Sequence, residues 1–249
     1  MKKDDIAISV KNLHISYRGL KKFSIKRSLL KMKKNQIEIF EAVKGISFEV
    51  ERGKILGFIG KNGSGKSTTL RALAGIFSPD KGKINLHGNT VSLLSIGVGF
   101  QPKLTGYENI YLSGMLLGFS EQQIKEKEKE IMEFADIGDF IYKPVKTYSS
   151  GMHSKLAFAI TAILETDIML IDEVLSVGDK TFKEKSYNKM KELISDDDRT
   201  VVIVSHSLDT IRELCDEVLW LHEGKIKKYG KPEDVIKEYE EFMKPKESK

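Results

Sequence analysis

The 249-residue chain is 40% hydrophobic, and its 41 Lys and Arg against 36 Asp and Glu leave a formal charge of +5. That length suits one large α/β domain with a well-buried core and is too short for two, while so mild a positive excess gives no argument for a nucleic-acid partner. Cys215 is the single cysteine, which leaves no internal disulfide and points to a reducing compartment. The charged start at residues 1–5 precedes no apolar signal core, and no apolar run approaches the ~18–20 residues that cross a bilayer. Any membrane role expected of this chain is therefore peripheral.

Ile6-Ala7-Ile8-Ser9-Val10 alternates as a half-buried strand does, and the pattern runs on to Tyr17. Residues 18–34 change character: Arg18, Lys21, Lys22, Lys26, Arg27, Lys31, Lys33 and Lys34 occur without one acid, and Leu20, Phe23, Leu29, Leu30 and Met32 fall loosely at helical spacing. This basic insertion, taken over 18–40, reads in one of two ways. It is a short amphipathic helix suited to anionic headgroups or an anionic substrate, or it is a solvated surface insertion with a ragged apolar stripe. Strands are predicted over 46–50 and 54–59, joined by the turn Glu51-Arg52-Gly53.

The second of these strands leads into Gly60-Lys61-Asn62-Gly63-Ser64-Gly65-Lys66-Ser67-Thr68, after which Thr69-Leu70-Arg71-Ala72-Leu73-Ala74 continues as a helix. Strand, glycine-rich turn and helix form the context of a phosphate-binding loop. The glycines let backbone amides curl inward, and the new helix adds unpaired N–H groups and the positive end of its dipole. In that role Lys66 reaches the phosphates of a nucleoside triphosphate as a point charge, and the Ser67 hydroxyl ligates Mg²⁺. An ordinary glycine turn before a helix is the plainer alternative, and the complete set of fixed positions disfavours it.

Ser78-Pro79-Asp80-Lys81-Gly82 signals a turn, followed by short strands over 83–86 and 91–94. From Thr105 the pattern becomes helical, over 107–117 and 121–134, with the Glu and Lys of 125–130 read as a solvated face. The stretch up to Glu165 is expected to be a helical lobe inserted between core strands. Residues 168–171 form a buried strand ending in Asp172-Glu173. The first carboxylate is placed to share Mg²⁺ with Ser67, and the second to orient or deprotonate a water. Such pairs occur at strand ends by chance; the phosphate loop about a hundred residues upstream is what favours function here. Residues 201–204 are another buried strand, ending in Ser205-His206. A lone histidine is usually structural, yet this one leaves a central strand where doubly wound sheets place ligands, so a γ-phosphate contact is expected. Strands over 217–221 and 225–229 flank Glu223-Gly224 as a hairpin, and Pro232-Glu233-Asp234 opens a last helix.

Tyr148-Ser149-Ser150-Gly151-Met152 stands just before a helix predicted over 154–164. Taken in order, the phosphate loop, this pentapeptide, Asp172-Glu173, Ser176-Val177-Gly178-Asp179 and Ser205-His206 resemble the ATPase subunits of ABC transporters along nearly the whole chain. The resemblance implies an α/β fold of the P-loop NTPase, RecA-like type: a mixed sheet core, an antiparallel β subdomain and an inserted helical subdomain. It implies one domain over 1–249, with its core at about 1–100 and 166–230, the helical subdomain at about 101–165 and a C-terminal helix at about 231–245.

It also implies roles. Tyr17 is the aromatic that stacks on adenine; Gly60, Lys61, Asn62, Gly63, Ser64, Gly65, Lys66, Ser67 and Thr68 bind ATP. Ser67 and Asp172 hold Mg²⁺, with Gln101 as the metal-sensing glutamine, although it stands closer to Leu104-Thr105 than is usual in the family. Glu173 and His206 are catalytic, and Ser176 and Asp179 belong to the loop that follows. Ser149, Ser150, Gly151 and Met152 are the signature, which departs from the usual Leu-Ser-Gly-Gly-Gln at Tyr148, Ser150 and Met152. The implied machine is a two-fold dimer of this chain with two ATP at its interface, each signature closing over the other copy's γ-phosphate, beside an integral-membrane permease subunit at the cytoplasmic face of a bacterial cell membrane.

The phrases from Lys146 through Met152, from Leu175 through Asp179 with Thr181-Phe182, and from Leu104 through Ile110 resemble exporters of lipid-linked polymers: teichoic acids, O-antigens and capsular polysaccharides. In that subgroup a helix inserted after the adenine-stacking aromatic sits near the entering lipid-linked anionic polymer, which suits the basic insertion. The sequence ends soon after its last helix, without room for the polymer-binding domain of some O-antigen exporters, so the teichoic-acid type is favoured. Two other classes fit less well. A soluble ABC-type ATPase acting on DNA or ribosomes usually has two fused nucleotide domains or a long coiled-coil insertion. A P-loop kinase or GTPase should lack the signature pentapeptide.

Overall fold

The computed structural model describes residues 5–19, 38–94, 99–172, 179–195 and 198–244. Two sheets organise it. The first is antiparallel, with β1 (Ile6–Gly19) between β2 (Glu38–Glu51) and β4 (Lys81–Asn85). Val10 faces Phe48 and Tyr17 faces Phe40 across the β1–β2 ladder. The second contains β3 (Ile55–Ile59), β5 (Val91–Leu94), β6 (Ile168–Ile171), β7 (Thr200–Val204), β8 (Glu217–His222) and β9 (Lys225–Gly230), in the order β5-β6-β7-β3-β8-β9. Its first five members are parallel, and β9 turns back antiparallel on β8. β6 and β7 are buried along their whole length, as expected of strands covered on both faces, which read as unbroken apolar runs.

Seven α-helices occur among the described residues: α1 (Lys66–Leu73), α2 (Gly106–Leu116), α3 (Glu121–Ala135), α4 (Ser150–Ile163), α5 (Lys180–Ile194), α6 (Leu208–Leu214) and α7 (Pro232–Met243). α2 and α3 open on capping boxes, Thr105 with Glu108 and Ser120 with Gln123, where each side chain satisfies the other residue's backbone N–H. α7 starts on Pro232, whose missing N–H costs nothing at a first helical turn.

The apolar residues form three clusters. One fills the space between the two sheets around Ile8, Leu13, Phe48, Phe58, Leu70 and Leu219. A second covers the opposite face of the parallel sheet with Phe158, Phe182, Met190, Ile211, Trp220 and Val235. The third, among α2, α3 and α4, gathers Ile110, Ile124, Ile131, Leu156 and Ile160. α4 belongs to two of them: Phe158 and Ala162 face the sheet, Leu156 and Ile160 the other helices. Phe158 stacks on Phe134 at 5.9 Å and meets Phe182 edge-on at 6.0 Å. Fully burying such a ring is worth roughly 1.5–3 kcal/mol, so α4 is locked to the sheet and to the helical layer at once.

Three expectations change. The helix predicted from 154 starts at Ser150, because Ser149 Oγ accepts the Met152 N–H at 3.2 Å and caps a first turn without apolar periodicity. The basic insertion assigned to 18–40 is strand at both edges, since β1 runs to Gly19 and β2 begins at Glu38; residues 20–37 lie outside the described residues. The strand predicted over 83–86 is β4, at Lys81–Asn85, with Gly82 pressed so closely on β1 that a Cβ there would stand 2.1 Å from the Asn12 carbonyl oxygen. No helix among the described residues is long and apolar enough to cross a membrane.

Candidate functional site

β3, β6 and β7 lie side by side, with Phe58 paired to Val204 and Ile171 to Ile203. Their carboxyl ends therefore deliver residues 60–68, Asp172 and Ser205-His206 to one edge of the sheet, where open α/β folds place ligands. A cleft of about 140 Å³ opens there, lined by residues 62–68, Val204 and His206.

The loop's chemistry follows from its backbone. Gly60 takes φ 145°, and a Cβ on it would stand 2.2 Å from the Leu221 carbonyl oxygen; Gly65 takes φ 105°, with the Ala42 carbonyl oxygen 2.7 Å from the same position. Only glycine fits either place. Gly65 is the N-cap of α1 and brings no side-chain cap, and the first turn holds no acid. A helix start without a side-chain cap or an acid is the arrangement an anionic ligand suits. Lys66 is only 6% exposed, and its Nζ donates to the carbonyls of Gly60 at 2.6 Å and Lys61 at 3.2 Å. Ser64 Oγ is buried with no hydrogen-bond partner among the described residues. A buried ammonium, an orphaned hydroxyl and an uncapped helix start share one demand, an anion with several acceptor oxygens.

Ser67 Oγ donates to Asp172 Oδ1 at 3.2 Å, joining the loop to the end of β6. No cluster of three or more His, Cys, Asp or Glu suited to a metal exists among the described residues. One hydroxyl and one carboxylate beside a phosphate cradle suit Mg²⁺, a hard ion that keeps waters and shares substrate phosphates rather than occupying an all-protein cage. The donor set fits that ion.

Tyr17 stands at the end of β1, 38% exposed. Its hydroxyl is 3.0 Å from Thr68 Oγ1, and its ring meets Phe77 edge-on at 5.8 Å. An aromatic platform is thus tied to the phosphate loop. His206 is exposed and lines the cleft. Glu173 and Ser176 lie outside the described residues.

The remaining predicted residues stand elsewhere. Gln101 is exposed in the loop before α2, where its N–H reaches Asn109 Oδ1 at 2.7 Å, and it is not among the residues lining the cleft. Ser149, Ser150, Gly151 and Met152 form the N-terminal turn of α4, also away from that lining. Among the described residues nothing requires glycine at 151: the nearest atom to a Cβ there would be Ser149 Oγ, 3.8 Å away. Asp179 accepts the Phe182 N–H at 3.0 Å and pairs with Lys155 Nζ at 2.8 Å. The lysine first, and the amide second, hold its carboxyl at a pKa of about 2.

Residues 43–176, which include the loop, the 148–152 turn and Asp172, match the ABC transporter family. The chain belongs to that family. It is 46% identical, over 83% of its length, to the teichoic acids export ATP-binding protein TagH of Bacillus anthracis, and 40% identical over 96% to that of Staphylococcus epidermidis. It spans 37% of the first relative's length and 90% of the second's, and 64% of the length of the Listeria innocua protein of the same name. An ATP-binding cassette solved as a dimer bound to ADP and Pi has the same fold, with a TM-score of 0.67 at 21% identity, covering 90% of this chain and 98% of that one.

Within this ABC fold, sequence reasoning missed Lys155, Asn109 and the 221–224 segment behind the phosphate loop. Asn109 is fully buried and ties Gln101, Leu104 and Thr105 together through its side-chain amide. A polar residue inside an apolar helical face was the available signal. Lys155 lies on α4 just past the signature, and nothing local distinguishes it from a solvated lysine. The segment behind the loop carries only an ordinary hairpin signal.

Proposed function

We propose that this chain is the ATP-hydrolysing subunit of an exporter that moves a lipid-linked, anionic cell-wall polymer, of the teichoic-acid class, across a bacterial cytoplasmic membrane. The observation that carries the reading is the junction at the cleft: buried Lys66 and the uncapped start of α1 beside the Ser67–Asp172 contact. The TagH relatives supply the polymer class.

In this reading the chain is a single cassette domain with the boundaries given above. The amides of 63–67 and Lys66 gather the triphosphate oxygens, and Tyr17 supports the adenine. Ser67 and Asp172 would hold Mg²⁺, which would supply charge neutralisation for the triphosphate. Glu173 orients the attacking water and His206 touches the γ-phosphate. Ser149, Ser150, Gly151 and Met152 of a second copy close over that phosphate. The surroundings of Gly151 support this, because a glycine in a helix costs about 0.5–1 kcal/mol and no contact among the described residues requires it. Ser176 and Asp179 lie at the same interface, and Gln101 relays the bound state to a membrane-embedded permease. The basic insertion faces headgroups or polymer at the cytoplasmic side.

Glu173→Gln tests the proposal. The variant should bind ATP with the affinity of the parent protein, hydrolyse it at least a hundredfold more slowly on the scale of lost general-base catalysis, and accumulate as an ATP-bound dimer in light scattering. A variant that stays monomeric with ATP, or turns over at the parental rate, removes the dimeric ATPase reading.

A further inference from the structure

The phosphate loop is braced from behind by a turn far along the chain. Between β8 and β9, Glu223 and Gly224 both take left-handed backbone, φ 50° and 82°, as a type I′ connection requires. The turn is not free in solvent. The Gly224 carbonyl accepts the Lys44 N–H of β2 at 2.8 Å, and the Gly224 N–H donates to the Ser64 carbonyl at 3.1 Å. A Cβ on Gly224 would stand 2.8 Å from the Ala42 carbonyl oxygen, and the Leu221 carbonyl already fills the place of a Cβ on Gly60. Residues 221–224 therefore run along the outer side of the loop, touching it at Gly60 and at Ser64.

We infer that the 223–224 turn is a positioning element for anion binding: by holding the Ser64 carbonyl, it aims the Gly65 N–H into the cleft. No cis peptide occurs among the described residues. In a planar trans peptide the carbonyl and the following N–H point in opposite directions. With the Ser64 carbonyl fixed toward the hairpin, the Gly65 N–H is fixed toward the opposite side, the cleft that Ser64 and Gly65 line. Gly65 is buried, and no hydrogen bond among the described residues takes its N–H. The buried Ser64 Oγ beside it is likewise unpartnered. Buried donors persist without an acceptor where a ligand supplies one, and the ligand with enough oxygens for both is a phosphate chain. The inference rests on the nucleotide reading of the cleft and adds to it a residue, Gly224, that touches no nucleotide. Its glycine identity follows from two constraints at once, the left-handed φ and the close Ala42 carbonyl.

The test is an ATP titration of the full chain followed through backbone amide resonances, with Gly224→Ala beside the parent protein. In the parent, the Gly65 amide should move far downfield on saturation with ATP. In Gly224→Ala, whose Cβ must push the turn off the Ala42 carbonyl, ATP should bind about tenfold more weakly and the Gly65 shift at saturation should fall below half. A substitution that merely lowered stability would leave that saturated shift intact. Equal affinity and an equal shift in the variant overturn the inference while the nucleotide reading stands; failure of the parent to bind ATP overturns both. Should Gly224→Ala not fold, the parent alone decides, through the scalar coupling across the hydrogen bond between Gly224 nitrogen and Ser64 carbonyl carbon. Its presence with a downfield Gly65 shift supports the inference, and its absence overturns it.

Discussion

Gly57 sits at the centre of β3, paired to Ile203 on one side and Val218 on the other, three residues before the phosphate loop. It needs no special φ; what it needs is space. A methyl there would stand 2.8 Å from Sγ of Cys215, the C-cap of α6, and 3.0 Å from two carbons of Ile211 within α6. Gly57→Ala gains about 0.5–1 kcal/mol from reduced chain entropy and loses about 1–3 kcal/mol by overpacking. The net is a destabilisation of up to about 2.5 kcal/mol, or a melting point lower by up to about 10 °C for a chain of this size. Because α6 begins directly after Ser207, its N-cap, the displacement is transmitted to His206 at the cleft. ATP turnover should fall more than ATP affinity. Cys215→Ala removes the nearest obstacle, and the thiol it deletes is inert, since burial pushes its pKa up to about 12. The double variant should therefore be more stable than the sum of the two single changes by at least ~0.5 kcal/mol, the scale of coupling between touching residues. Urea melts of the four proteins measure this. A Gly57→Ala protein at least as stable as the parent, or strictly additive changes, would refute the packing argument.

Tyr17→Phe deletes the 3.0 Å contact with Thr68 and keeps the ring; a lost neutral hydrogen bond of about 0.5–1.5 kcal/mol corresponds to roughly 2- to 10-fold weaker binding of a fluorescent ATP analogue, and Tyr17→Ala should cost more. Gly151→Ala has open space for its methyl, so the melting point should hold or rise with about 0.5–1 kcal/mol of helix propensity, while ATP-driven dimerisation in light scattering is lost. Asp179 has its folded pKa lowered from 3.8 to about 2. Its contribution to stability is therefore complete above pH 3.8 and disappears as pH falls from there toward 2. Acid titrations of Asp179→Asn should lack that limb, and a parental acid profile would show that the Lys155 pair does not survive in solution.

The site was legible wherever its chemistry is written in consecutive residues. Gly60 to Thr68 announces itself because strand, glycine turn and helix are local, and Asp172 and His206 follow from apolar runs too short to be anything but buried strands. The convergence of those three ends is a property of parallel pairing and could be anticipated from the pattern. α5 was missed because nearly half of its residues are lysine or glutamate, with Phe182, Met190 and Leu193 too sparse to advertise a buried face. The first half of β2 was missed because Ile39 and Phe40 are both exposed, which erases alternation at a sheet edge. The start of α4 was read late because a capping serine and a glycine look like loop. The brace behind the phosphate loop was invisible for a different reason: the Gly224–Ser64 bond joins residues separated by more than half the chain, and nothing in either neighbourhood refers to the other.

The cleft also argues its own incompleteness. At about 140 Å³ it is less than half the volume at which pockets of about 300–1,000 Å³ enclose a drug-sized ligand. Most of its donors come from the loop and α1, with His206 at the end of β7 the exception, so a triphosphate seated there would keep some of its oxygens in water. Phosphoryl transfer draws its acceleration from positioning and charge neutralisation, and an open half-site supplies each only in part. In the proposed function, a surface that closes over the triphosphate would have to be polar, able to approach closely, and rigidly carried. The first turn of α4 has those properties: a serine cap, an unhindered glycine, and a helix anchored by Phe158 and Leu156 to two separate apolar clusters. That turn does not line its own chain's cleft, so in the proposed dimer the same surface on a second copy would complete both sites.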